Sequence, residues 1–507
     1  MSPTRTSRLE KLSPAKRALL VEALRADEER RSAIKKIPPR AVKSPVVLSF
    51  AQQRLWFIDQ LDPGNPAYNC PAAVSLSGTL DLRALSASFN YLVARHESLR
   101  TTFAAIDGLP HQIISPAVPL LHIPVLDLEA HPPQDHRPEV ERLAAAEAQT
   151  RFDLRTGPLL RVRLLRLAPQ QHVLLLTLHH IIGDAWSMGV LVRELAALYE
   201  CFRGGREPEL AALPIQYADF AVWQRAWLQG AELERQMSYW RRQLGGMRGV
   251  LELPVAKARA GAAGHEGGAA SELRLTRELT QELRELSRRQ GVTLFMLLLA
   301  AFKVLLYRYS GEREVVVGTG IANRNRVETE GLIGFFVNML VLRTEVEREW
   351  SFVEMMKRVE EVCVGAYAHQ DVPFEKLVEE LQPERNLSHT PLFQVVFVLQ
   401  NAPITLYFPG LVIKPLKMDF GLTHFDLTFL MEETDDELQG ILEYNTSMFD
   451  AQTVAQLLKS YESILKEIVK QPGRQLLDIP LLPEVQESYQ TGLPSSPNEY
   501  SGDQFTF

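Results

Sequence analysis

The stretch from Val173 to Phe202 constrains the fold most. It opens on a short apolar run, Val173–Leu178, that reads as a buried strand. It then passes through His179-His180-Ile181-Ile182-Gly183-Asp184-Ala185-Trp186-Ser187 into a helical pattern. There Leu191, Leu195, Leu198 and Tyr199 share one stripe, and Gly204-Gly205 stops it. A strand that hands directly to an amphipathic helix points to an α/β (α+β) architecture, and the same alternation recurs along the chain. Ser49-Phe50-Ala51-Gln52 has capping-box spacing and opens a helix that Asp62-Pro63-Gly64 closes. Leu82, Leu85, Phe89, Leu92 and Val93 recur at helical spacing, and Leu99–Phe103 reads as a strand.

At 507 residues the chain exceeds what one core usually holds, so at least two lobes are expected. Ala256–Ala270 is nearly all Ala, Gly and charge, and reads as an exposed crossing. Beyond it the pattern restarts, with helices expected over Arg277–Arg289, Leu294–Tyr309 and Ser351–Ala368. Strands are expected over Glu314–Gly318, Phe335–Thr344, Phe393–Gln400 and Phe425–Met431. Lys303 interrupts the longest apolar segment, Val292–Tyr307, which therefore reads as a core helix rather than a membrane span. The expected divisions are a helical appendage over 1–43, a first lobe over 44–225, a second over 226–483, and a polar linker over 484–507.

The net charge of −7, with both signs interspersed, gives no basic footprint for nucleic acid. Three cysteines far apart, Cys70, Cys201 and Cys363, form neither a disulfide framework nor a zinc spacing, and fit a reducing, cytoplasmic setting. No apolar signal segment opens the chain.

The paired histidines carry the chemistry. They stand at the carboxyl end of a strand, where α/β proteins hold their sites, and histidine moves protons near neutral pH. The bland alternative is a strand end with two partly buried histidines and an Asp that caps the next helix. No third His or Cys lies at a ligand spacing, so no metal is expected.

With this segment the chain resembles the condensation domains of nonribosomal peptide synthetases, whose signature is His-His, three residues, Asp-Gly. Six further blocks follow the family's order. They are Leu48–Trp56, Arg95–Phe103, Tyr217–Trp223, Ile333–Asn338, His369–Glu375 and, more loosely, Arg385–Leu392. The resemblance spans about Val46 to Leu482. It implies two lobes, each similar to chloramphenicol acetyltransferase, set in a V with the histidines in a central tunnel. It also implies a reaction: an acceptor α-amine attacks a donor thioester, each delivered on the phosphopantetheine arm of a carrier protein. The domain itself then holds no cofactor. Its partners are an acceptor peptidyl carrier protein, a donor carrier protein or an acyl-coenzyme A, and an adenylation domain, with no nucleic acid and no membrane.

A thioester is already activated, so the enzyme needs no covalent nucleophile, only positioning and proton management. By resemblance His180 is the catalytic residue, as a base or as a group that holds the amine; the sequence leaves both open. His179 should point to the opposite side and be structural. Asp184 is expected to pair with an arginine, Arg100 first and Arg95 second. Ala185, Trp186, Ser187 and Asn338 are candidate tunnel residues, with Asn338 equally readable as a satisfied core amide. Trp56, Tyr217 and Trp223 are expected in the core, and Gly318–Arg326 between the lobes.

The chain departs from the family pattern at Ala185, where the signature has Gly. If that position needs a positive φ, alanine is strained by roughly 1 kcal/mol. Met339 stands where Thr is common, and Gly320 where Pro is. Met1 and the appendage favour a starter domain that attaches a fatty acyl group. An elongating domain is the alternative, followed by a stand-alone acyltransferase or a non-catalytic recruitment platform.

Overall fold

The computed structural model describes residues 36–481, apart from 119, 249–250, 252, 254–266, 382–390, 401–407, 409, 417, 419, 421–422, 424 and 435–436. The expected N-terminal helix, most of the Ala/Gly crossing, most of the Arg385–Leu392 block and the C-terminal tail lie outside the described residues.

A five-stranded sheet forms the first lobe, in the order Leu411–Pro415, Asn69–Gly78, Gln171–His179, Leu160–Ala168, Val125–Asp127. The central strand Gln171–His179 explains its continuous apolar run, because both of its faces are covered. Leu174, Leu176 and Leu178 meet helices Leu82–Arg95 and Ala185–Arg203; Val173 and Leu175 meet helix Pro133–Gln149. Ser49 caps helix Phe50–Leu61 through a full capping box with Gln52, as its spacing predicts.

The second lobe is a six-stranded sheet in the order Asn338–Glu345, Glu314–Ile321, Val395–Gln400, Leu427–Thr434, Glu437–Asn445, Gly268–Leu275. Helix Leu294–Ser310 runs through its core, capped by Thr293 and ended by Gly311 at φ 71°. Nearly every residue of that helix is buried, which accounts for its long apolar stretch. Lys303 is wholly buried there and donates to Val315 O at 3.2 Å, Leu342 O at 2.5 Å and Thr344 Oγ1 at 2.9 Å. Desolvation pulls its amine down to about 7. Among the described residues no single helix is long and apolar enough to cross a membrane.

Two of the expected boundaries move. Strand Leu411–Pro415 lies in the second half of the sequence, yet it pairs antiparallel with Asn69–Gly78 in the first-lobe sheet. The expected division at 225/226 is therefore crossed by a returning strand. At the other boundary, Ile37 and Arg40 are buried in the body, so the independent appendage cannot extend to residue 43.

Candidate active site between the lobes

Strand Gln171–His179 ends at the paired histidines, and a short turn, His180–Ile182, lifts the chain toward helix Ala185–Arg203. His179 is buried; its Nδ1 accepts from Ile181 N at 3.1 Å, and its ring stands edge-on to Phe152. Burial, aided by His180 and Arg161, pushes it down to about 3. The imidazole is therefore neutral and packed into the first-lobe core.

His180 has different surroundings. Its Nδ1 lies 2.9 Å from Gly183 O. A carbonyl oxygen only accepts, so Nδ1 carries the proton and the neutral ring keeps its lone pair on Nε2. The Phe335 ring, from the second half of the chain, sits 4.6 Å away and fixes the ring plane. Burial lowers the His180 pKa below that of a free histidine; Asp184 opposes this and Arg54 adds to it. With Nδ1–H engaged by Gly183 O, Nε2 is the ring atom left with a lone pair.

Asp184 holds this arrangement together. Its side chain caps the following helix at Ser187 N, 2.8 Å away, as the bland reading of the motif expects. It does more than cap. Oδ1 also accepts from Ser187 Oγ at 2.7 Å and from Arg324 Nη2 at 3.1 Å. Oδ2 accepts from Phe336 N at 3.0 Å and Val337 N at 3.2 Å. One buried carboxylate thus ties the histidine loop to the segment that carries Phe335. Arg324 donates its other Nη to Thr329 O and Leu332 O, and its guanidinium stacks 4.1 Å from the Phe336 ring.

The arginine expected beside Asp184 is therefore neither Arg100 nor Arg95. Arg100 donates to Ser115 O and faces Glu97, while Arg95 is held by Glu194 and Ala211 O. Nearby carboxylates and carbonyls occupy both. Arg324 lies within the expected bridging stretch Gly318–Arg326, but 140 residues from Asp184.

The tunnel candidates are also corrected. Ala185 is the first residue of its helix and does not have a positive φ, so no strain attends the missing glycine. The Ser187 hydroxyl is fully buried in the Asp184 cluster and also reaches Gly334 O at 2.8 Å. Trp186 is partly exposed and donates Nε1 to Glu330 O. Asn338 is a core clamp: Nδ2 donates to Gln370 O and Val372 O, and Oδ1 accepts from Phe374 N at 3.0 Å. Every polar atom of that amide is used. The wall of an apolar cavity comes instead from further along the same helix, from Met188, Leu191, Val192 and Leu195. That cavity, about 690 Å³ and mostly apolar, lies between the lobes, with Ile441, Ala270, Glu272 and Glu443 of the second sheet opposite.

Tyr217 is in the core, as expected, but its hydroxyl also joins the halves, with Ser49 Oγ at 2.8 Å and Phe335 O at 2.7 Å. Gly334 is glycine because a Cβ there would overlap the Tyr217 ring.

Two α/β lobes of this architecture have the chloramphenicol acetyltransferase-like fold. Residues 42–490 match the family described as Condensation domain, and the chain belongs to the condensation domains of nonribosomal peptide synthetases, which form amide bonds. It is 47% identical over 447 residues to one of the linear gramicidin synthase proteins of Brevibacillus parabrevis, covering 88% of this chain and 9% of that protein. The X-domain from teicoplanin biosynthesis superposes with a TM-score of 0.78 at 30% identity, over 88% of this chain and all of that one. The first condensation domain of the calcium-dependent antibiotic synthetase superposes at 0.74 with 24% identity, over 87% of this chain and 100% of that one. The chain thus spans only a small part of the gramicidin synthase that it matches.

Proposed function

We propose that this chain joins an aminoacyl or peptidyl thioester donor to the α-amine of an aminoacyl thioester acceptor, both on phosphopantetheine arms of carrier proteins. The observation that carries the reading is the His180 imidazole, its Nδ1–H held by Gly183 O and Nε2 left as acceptor at the lobe junction. The amine nitrogen attacks the thioester carbon, the C–N bond forms and the C–S bond breaks. Nε2 takes a proton from the amine, and the departing thiolate receives one. Asp184 and Arg324 position the loop and exchange no proton.

The elongating form is favoured over the starter form. Three linear gramicidin synthase proteins are 45–47% identical to this chain. The starter expectation rests on Met1 and the N-terminal appendage, and the point at which the sequence begins carries no information about what precedes the domain in a synthetase. One observation favours a fatty acyl donor as the second reading: a 690 Å³ apolar cavity falls in the range that takes small ligands and would suit a long chain. The test loads the acceptor carrier with an amino acid and offers an aminoacyl carrier protein and a fatty acyl-coenzyme A in parallel. Product mass reports the amide. Turnover with the aminoacyl donor is expected; product from the fatty acyl donor alone would reverse the assignment.

A further inference from the structure

The chain just before the first lobe runs across the lobe junction as a strap. Ile37, 3% exposed, is buried in a cluster with Ile215, Tyr217, Phe220, Leu332 and Phe336. Pro38-Pro39 follow, with their φ angles fixed by their rings. Arg40 is then locked from two sides. Its backbone N and Nη1 both meet Asp219 Oδ1, at 3.1 and 2.6 Å, and Nη2 meets Glu97 Oε2 at 2.6 Å. The Arg40 and Asp219 side chains are 6% and 5% exposed. Further along, Ser49 Oγ reaches the Tyr217 hydroxyl.

These contacts converge on the segment that shapes the site. Tyr217 holds Phe335 O, and Phe336 N and Val337 N hold Asp184. The Phe335 ring lies on His180. We propose that Ile37 and Arg40 are positioning residues, which fix Tyr217 and Phe336 and through them set Phe335 and Asp184 against the His180 ring. The chain that leads into the domain is then mechanically continuous with the catalytic loop, so tension or displacement upstream reaches His180. A displacement of about 1 Å in a catalytic group can cost on the order of 100-fold in rate.

The inference rests on His180 as the acting residue, and its test separates the two. Steady-state amide formation is measured for Ile37→Ala, Arg40→Met, the conservative Ile37→Val and Arg40→Lys, and Leu465→Ala. Leu465 is a core residue of helix Ala451–Lys470 in the second lobe, so its truncation controls for general loss of stability. Each rate is expressed per folded molecule. The expected result is a loss of about 10-fold or more in kcat for Ile37→Ala and Arg40→Met, on the scale that misplacement produces, with KM little changed. The conservative variants should recover most of it, and Leu465→Ala should leave kcat unchanged.

An NMR titration of the His180 ring gives a readout independent of turnover. The charged side chains that act on this ring are Asp184 and Arg54, and its backbone partner is Gly183 O. In Ile37→Ala the His180 pKa should rise toward that of a free histidine as the ring loses cover, and in Leu465→Ala it should not move. Unchanged kcat and titration in Ile37→Ala, or an equal loss in Leu465→Ala, would overturn the strap. Full activity in His180→Ala would overturn the catalytic reading instead, while the titration would still report on the strap.

Discussion

Removal of the Arg324 guanidinium should cost far more than loss of a surface charge, and the cost should depend on Asp184. The Asp184 carboxylate is 4% exposed and accepts from Ser187 N, Ser187 Oγ, Phe336 N, Val337 N and Arg324 Nη2. Arg324→Met leaves four neutral donors around a buried anion and removes one donor each from Thr329 O and Leu332 O. Breaking a buried pair from one side costs about 3–5 kcal/mol, much of it the uncompensated charge. Asp184→Ala strands the guanidinium in the same way. The double variant strands neither charge, so it should be less costly than the two singles together, by about 2–3 kcal/mol. Equilibrium urea unfolding of the four proteins gives this coupling directly. The same cycle with Arg100→Met or Arg95→Met in place of Arg324→Met should be additive within about 0.5 kcal/mol, because neither side chain touches Asp184. Additivity for Arg324, or coupling for Arg100, would refute the assignment of the clamp.

Three further outcomes follow from buried groups. His179 stays neutral in the fold down to about pH 3, whereas the unfolded chain protonates it near 6.5. Stability is therefore lost as pH falls from about 6.5 toward 3, by about 2 kcal/mol at pH 5, and His179→Asn should flatten that slope in urea titrations. Lys303 acts in a window at higher pH: the folded amine loses its proton at about 7 and the unfolded one only near 10.5. Unfolding free energy should therefore rise with pH between about 7 and 10, and Lys303→Met should abolish that rise. Gly334→Ala forces a methyl into the Tyr217 ring, with a cost of about 1–3 kcal/mol and a fall in kcat that thermal melts and turnover assays would register together.

Much of this was readable because the signals are local. Ser49 and Gln52 stand three residues apart and form the capping box that their spacing predicts. The apolar run that Lys303 interrupts is the core helix of the second lobe, and the amine is tolerated because three oxygens receive it. Side-chain alternation at a strand end gives His179 and His180 different surroundings, Phe152 for one and Phe335 for the other. What stayed hidden is long-range. No local spacing joins Asp184 to Arg324 across 140 residues, and the nearer arginines were the wrong choice because local partners already hold them. Strand Leu411–Pro415 is a five-residue edge with Val412 exposed, and nothing in it says which lobe it joins. Helix Pro133–Gln149 is mostly polar and carries an internal Pro138, which masks its buried stripe of Val140, Leu143 and Ala144. Asn338 reads as a polar residue in an apolar strand, and only the Gln370–Phe374 turn reveals why it is there.

In the proposed reaction His180 Nε2 manages the proton of the attacking amine. Single-turnover amide formation between carrier-bound donor and acceptor, compared in wild type and His180→Ala, tests it most directly. General-base assistance predicts a fall of about 100- to 10,000-fold in the variant, with the Asp184–Arg324 clamp and the fold intact. A variant that condenses at the wild-type rate would show that His180 does not handle that proton.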